Sequence, residues 1–159
     1  MINMHQFDKL VTDFAARYAV EGLAVEDGVA VLSIDGTEVL LREDAEGGAV
    51  VGTAEICEMP PDAHGVFAAL ALQANFSAAG ATALSLDAET GELAVSTSLP
   101  LLQADPDSLS DTVETLVNAA EEWRRFAVAF LDVDEEAAIK ASDDAAAAPI
   151  SGNPDFIRV

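Results

Sequence analysis

The chain has 159 residues and carries 29 Asp and Glu against 7 Lys and Arg, for a net charge of −22. A surface this acidic repels phosphate backbones and anionic lipid, which argues against nucleic acid as a partner. No uninterrupted apolar run reaches about 18 residues, so no membrane span is expected, and the single cysteine, Cys57, permits no internal disulfide.

The chain begins with residues 1–6, which lack the basic and apolar regions of a signal peptide; a cytoplasmic location is expected. Asn3 with Gln6 three residues on resembles a capping box. Phe7, Leu10, Val11, Phe14 and Tyr18 then recur at helical spacing and form one apolar stripe, which Gly22 is expected to end. Leu23-Ala24-Val25 leads into a Glu26-Asp27-Gly28 turn and the apolar run 29–34. Asp-Gly between apolar segments is a strong hairpin signal, and Asp35-Gly36 repeats it before the run 37–41. A polar, glycine-bearing loop at 43–48 separates these from a strand at 49–57 with Val51, Thr53 and Glu55 on one face. Together they read as an antiparallel meander.

Met59-Pro60-Pro61-Asp62 stops the sheet, since prolines cannot continue a ladder, and Asp62 can cap the next helix. The stretch 64–77 carries Val66, Phe67, Leu70, Ala71, Ala74 and Phe76; its alanines make a narrow helix that permits close approach, ended by Ala79-Gly80. Segments 82–86 and 93–97 flank a loop and read as a hairpin. Leu99-Pro100-Leu101-Leu102 is an apolar exit. Asp105-Pro106-Asp107-Ser108 opens the last helix, with Ser108 and Asp111 fitting a capping box. Its stripe is Leu109, Val113, Leu116, Val117, Ala120, Trp123, Ala127 and Phe130.

The expected fold is α+β in the order α-β-β-β-α-β-β-α, a twisted antiparallel sheet with three helices, over residues 1–131. Residues 132–159 read as an acidic, alanine-rich tail, mobile or weakly docked, with Phe156-Ile157 as a small apolar island. Up to Leu131 there are 22 acids and 5 bases, so −17 of the charge belongs to the domain and not to the tail.

The residues offer little for catalysis. His5 and His64 have no second histidine or cysteine at ligand spacing, and both read as surface residues. Asp132-x-Asp134-x-Glu136 starts like a calcium loop, but Ala137 stands where the turn needs Gly and Asp143 where the bidentate Glu should be. Cys57 lies between Glu55 and Glu58, which oppose a thiolate, so it reads as a structural cysteine. No phosphate-binding glycine loop is present. Arg124 and Arg125 sit late in the last helix, where cations suit the dipole, and are expected to pair with Glu121, Glu122 or the tail. Trp123, on the apolar stripe, reads as core. These readings make the protein a binding module, not an enzyme, with no cofactor and no metal.

The ordered pattern resembles the type III secretion chaperones of the Tir-chaperone (CesT-like) family. The resemblance is carried by the first apolar helix, by Val31-Leu32-Ser33-Ile34-Asp35-Gly36, and by Leu72-Gln73-Ala74-Asn75, which matches a Leu-x-x-Asn signature. Leu84-Ser85-Leu86-Asp87 with Gly91-Glu92-Leu93, then Leu99-Pro100-Leu101 and the late Trp123, complete it. The resemblance implies an ATP-independent homodimer that holds the N-terminal segment of a secreted effector in extended form by strand addition and side-chain pockets. It places partner binding at Leu10, Phe14, Leu32, Ile34, Val39 and Leu41, and the dimer surface at Phe67, Leu70, Ala71, Ala74, Leu93 and Val95. Ordinary core is the competing reading of the first six. A regulatory protein-binding module of the same fold, with no role in secretion, is the alternative function.

Overall fold

Two Asp-Gly turns set the start of the sheet. In the computed structural model, which describes residues 4–61, 65–77 and 82–132, Asp27 and Gly28 have φ of 49° and 74°, and Asp35 and Gly36 have 49° and 81°. Positive φ at both central residues is the type I′ turn, whose twist matches that of the flanking strands. Each turn therefore joins antiparallel neighbours directly. The expected Asn3 and Asp62 caps, His64, Ala79-Gly80, the calcium-like stretch beyond Asp132 and the tail lie outside the described residues.

After α1 (Met4–Tyr18) come β1 (Ala24–Glu26), β2 (Val29–Ile34), β3 (Thr37–Asp44) and β4 (Ala49–Glu58). They are followed by α2 (Val66–Ser77), β5 (Ala83–Leu86), β6 (Glu92–Pro100), a 3₁₀ turn at Leu101–Gln103 and α3 (Pro106–Asp132). The fold is α+β with three helices, as the sequence implied, with one strand more than the expected order. The segment entering the first turn forms β1, because the two-residue loop brings it directly beside β2. All six strands join one antiparallel sheet in the order β1-β2-β3-β4-β6-β5.

Alternation along the strands divides the sheet into two faces. Leu32, Val39, Ala54 and Val95 stand in one cross-strand row, and Ala30, Leu41 and Gly52 in the next. All seven are buried. α3 lies across β3, β4 and β6 with α1 beside it, and Phe7, Val11, Leu109 and Leu116 close the same core. The opposite face presents the row Val31, Leu40, Thr53 and Ser96, each at least partly accessible.

The helix ends differ from the sequence reading. α1 stops at Tyr18, ahead of Gly22: Ala19 takes φ 51° and the Val20 N–H reaches back to the Ala15 carbonyl at 3.0 Å, a Schellman-type closure. The Gln6 amide donates to the Leu101 carbonyl instead of back to its own helix. α3 starts earlier than Ser108. Pro106 takes the first helical position, where its missing N–H costs nothing. Asp105 is the cap: the Ser108 N–H donates to its Oδ1 at 2.7 Å, and its own N–H donates to Ser108 Oγ at 2.9 Å. Hydrogen bonding from Ser108, its backbone N–H first and its hydroxyl next, holds the Asp105 carboxyl below its usual pKa.

Candidate interaction surfaces

The six residues expected to receive a partner are placed mostly inside the subunit. Leu10 and Phe14 face inward from α1, while Leu32, Val39 and Leu41 lie on the covered face of the sheet; all five are buried, and Ile34 is half-buried at the rim. They belong to the core that α1, α3 and the sheet close together, so a partner could touch those five only by parting that packing. The same spacing marks an apolar stripe whether it meets the chain's own core or another chain, which is why the sequence left core as the competing reading.

Of the six expected at a dimer surface, Phe67, Ala71, Leu93 and Val95 are buried, Ala74 is half-buried and Leu70 is exposed. Phe67 anchors α2 on α3. Its ring lies 6.0 Å from that of Trp123 and 5.2 Å from that of Phe130, both edge-on, and 5.6 Å from Phe126. Trp123 is half-buried in this cluster.

The accessible apolar surface lies beside those residues. Leu72 is 69% exposed and Phe76 93% on α2, and Leu86 is 53% exposed on β5. Toward the end of α3, Val128 and Leu131 are exposed as well. α2 is apolar on nearly every side, with Gln73, Asn75 and Ser77 its only polar residues. A helix of that kind belongs in an interior. That all-round apolarity was the available signal for Leu72 and Phe76. The sequence reading named Phe76 on the helix and Leu72 in the Leu-x-x-Asn signature but gave neither a surface role, because it looked for one face.

Asn75 ties α2 to the sheet. Its Nδ2 donates to the Leu84 carbonyl at 3.0 Å, and its Oδ1 accepts the Leu84 N–H at 2.6 Å. The side-chain amide thus takes the place of a neighbouring strand at one residue of the edge strand β5. No such bridge is found at the other edge, β1, among the described residues.

Several polar residues named in the sequence have structural partners. Arg125 pairs with Glu121 one turn back at 3.1 Å, as expected. Arg124 instead reaches the sheet: Nε donates to the Ile56 carbonyl at 2.8 Å, Nη2 to that of Glu55 at 2.6 Å and Nη1 to Thr37 Oγ1 at 2.6 Å. Asp107 at the start of α3 receives Arg17 at 2.9 Å and the Tyr18 hydroxyl at 2.5 Å, which fastens the end of α1. That bond to Asp107 holds the Tyr18 phenol above its ordinary pKa. Burial, and not the neighbouring carboxylates, raises the Cys57 thiol, with Arg124 opposing. Among the described residues no three His, Cys, Asp or Glu side chains gather as a metal site, and no helix is long and apolar enough to cross a membrane.

A model of the Tir chaperone protein (CesT) family matches residues 9–124. No curated protein matches the chain at a significant level. Among solved structures, the HopA1–SchA chaperone–effector complex contains a chain 20% identical, with a TM-score of 0.64 over 79% of this chain and 99% of that one. The ExsC–ExsE complex gives 22% identity and a TM-score of 0.67, covering 79% and 96%. The Yersinia pestis type III secretion chaperone SycH, in complex with a fragment of YscM2, gives 18% and 0.60, covering 73% and 98%. At these identities the likeness establishes a shared fold.

Proposed function

The chain belongs to the Tir chaperone protein (CesT) family, non-enzymatic effector-binding chaperones of type III secretion, and from that premise we propose that it is a cytoplasmic, ATP-independent homodimeric chaperone. It holds the N-terminal segment of a secreted effector in extended form and keeps it competent for export. The observation that carries this reading is the apolar surface of α2 and β5, with Leu72, Phe76 and Leu86 open in the single subunit. A contiguous apolar patch on a soluble protein marks an interaction site, and a second copy of the same surface covers it symmetrically.

Leu70, exposed, and Ala74, half-buried, flank this surface on the side of α2 that carries the buried Phe67 and Ala71. The dimer leaves the β1 end of each sheet free for a partner in extended form. Strand addition suits a partner that must remain unfolded, because it uses main-chain hydrogen bonds available to any sequence and leaves specificity to alternate side chains.

Light scattering on the purified protein is expected to give twice the chain mass, and Phe76→Glu to give a monomer. Co-expression with a secreted protein encoded beside it should yield a stable complex that retains only the unfolded N-terminal segment after limited proteolysis. A monomeric wild type, or a complex in which that segment stays protease-sensitive, would count against the reading.

A further inference from the structure

We propose that Arg42 selects partners by a carboxylate: the open face of the sheet takes an amphipathic helix of the bound segment, and Arg42 meets an acidic residue inside that helix's apolar stripe. This rests on the chaperone reading and adds what the partner must carry. The chain up to Leu131 has five bases. Lys9 pairs with Asp13, Arg17 with Asp107 and Arg125 with Glu121, while Arg124 is spent on Thr37 and two carbonyls. Arg42 is exposed and, among the described residues, has no hydrogen-bond or ion-pair partner, although the same stretch holds 22 acids.

Its place on the sheet accounts for the isolation. Register sets Arg42 between Val29 on β2 and Val51 on β4. Val31 and Leu40, each 38% exposed, stand in the next row of the same face. Glu26 ends the Arg42 row on β1, but Val29 lies between them, and two strand spacings put their Cα atoms about 10 Å apart. Asp44, two residues on, turns its Oδ1 to the Gly47 N–H at 3.0 Å. The guanidinium therefore stands on apolar surface with its donors unspent.

The helices of the subunit leave this face open: α1 and α3 lie on the other one, and α2 packs on α3 and at the β5 edge. An occupant must satisfy its own backbone here, because β2, β3 and β4 are paired on both sides and offer no free main-chain groups. That points to a helix, whose width of about 10 Å spans two strand spacings. Its apolar stripe would cover Val31, Leu40 and Val51 and take Arg42 out of water. A guanidinium buried without an acceptor is strongly destabilising, whereas a carboxylate meets it with two parallel hydrogen bonds. An all-apolar stripe is thus rejected, and one with Asp or Glu opposite Arg42 is accepted. A second copy of this chain offers no such helix. α2, whose apolar surface is exposed, has no acidic residue, and the stripes of α1 and α3 are filled by the core.

The test uses the full-length protein and dye-labelled amphipathic peptides, stapled as helices, that differ only in the central residue of the apolar stripe: Glu, Gln or Lys. The Glu peptide should bind about tenfold more tightly than the Gln peptide. Arg42→Gln should abolish that preference, and Arg42→Glu should transfer it to the Lys peptide. Circular dichroism should stay unchanged in both variants, and the Val31 and Leu40 amide resonances of the wild type should move on binding. A peptide with its Glu moved to the polar face should bind no better than the Gln peptide; if it binds as well as the stripe Glu peptide, the effect is net charge and the proposal is overturned. A Glu preference that survives Arg42→Gln overturns it too, as does failure of every peptide to bind. A lower association state of Arg42→Glu in light scattering would make a second copy the occupant of this face, against the proposal. A chaperone that retains its secreted segment yet shows no preference dependent on Arg42 loses only this inference; one that retains no secreted segment loses the function proposed above.

Discussion

Arg124 on α3 donates to the Thr37 hydroxyl on β3 at 2.6 Å, across the covered face of the sheet. Thr37 is the buried polar side chain of the described core. The same guanidinium takes the carbonyls of Glu55 and Ile56, where the β4–β6 register slips between Glu55 and Cys57. A bulge leaves ladder groups without their regular partners, and Arg124 supplies the missing donors while fixing α3 in place. Arg124→Met should therefore lower the unfolding free energy by about 3 kcal/mol, because it strips charged hydrogen bonds and strands the acceptors. Thr37→Val should cost less, and in a double-mutant cycle by urea unfolding the pair should couple by about 1 kcal/mol. Additive effects would mean that the contact contributes nothing.

Asn75 makes a separable prediction. Asn75→Ala leaves Leu84 without the amide that completes its edge, at a cost of about 2 kcal/mol. Hydrogen exchange at the Leu84 N–H should then rise more than tenfold, while amides of β3 change only with global stability. Asn75→Asp, which keeps the acceptor and loses the donor, should fall between. Unchanged exchange at Leu84 would show that the side chain does not close this edge.

The sequence was legible wherever a local rule had no competitor. Asp27-Gly28 and Asp35-Gly36 could hardly do anything but turn, and with them came the pairing of three strands. The stripes of α1 and α3 located the core because long amphipathic helices need tertiary partners at one face only. Helix ends were less legible. Asp105-Pro106 and Ser108-Asp111 offer overlapping caps, and a proline at the first helical position decides for the former. Surfaces were least legible. Leu10, Phe14, Leu32, Val39 and Leu41 were assigned by resemblance to a partner and lie in the core, whereas Leu72 and Phe76 stand open. Apolar periodicity reports that a residue is covered, not by which chain. Arg124 was misplaced for a related reason: helical spacing offered Glu121, whereas its acceptors lie on β3 and β4, far away in sequence.

Asp105 gives a pH prediction of definite sign. Its carboxyl is held below the usual value by the Ser108 N–H and hydroxyl, so its charged form contributes stability above the unfolded pKa of about 4. That contribution is lost as pH falls through the lower folded value. Asp105→Asn keeps a capping oxygen without the charge. The stability difference between wild type and variant should be full at neutral pH and shrink on acidification below pH ~4. A difference independent of pH would assign the cap no electrostatic part.

Ala19 holds φ 51° at the end of α1, a left-handed conformation that a Cβ disfavours. Glycine at this position relieves the strain, and the gain exceeds the added entropy of the unfolded chain. Ala19→Gly should raise stability by about 0.5–1 kcal/mol, seen as a higher urea midpoint with an unchanged slope. A loss of stability would mean that the Schellman closure does not set the end of the helix.

At Gly52 on β4, the Leu116 side chain from α3 packs directly on the backbone of the sheet. A Cβ placed there would stand 2.6 Å from Leu116 Cδ1 and 3.4 Å from Leu41 Cδ2. Both leucines are fully buried, so neither side chain has solvent to swing into. Gly52→Ala should cost about 1–3 kcal/mol by overpacking, even though alanine is otherwise the better strand residue. Leu116→Val alone should cost about 1 kcal/mol through lost burial. Combined, the two should be less destabilising than their sum by at least about 1 kcal/mol, because the shorter side chain vacates the space the new methyl needs. Additivity would place the strain elsewhere, whereas a recovered double variant would establish that a missing side chain on β4 sets how deeply α3 sits on the sheet.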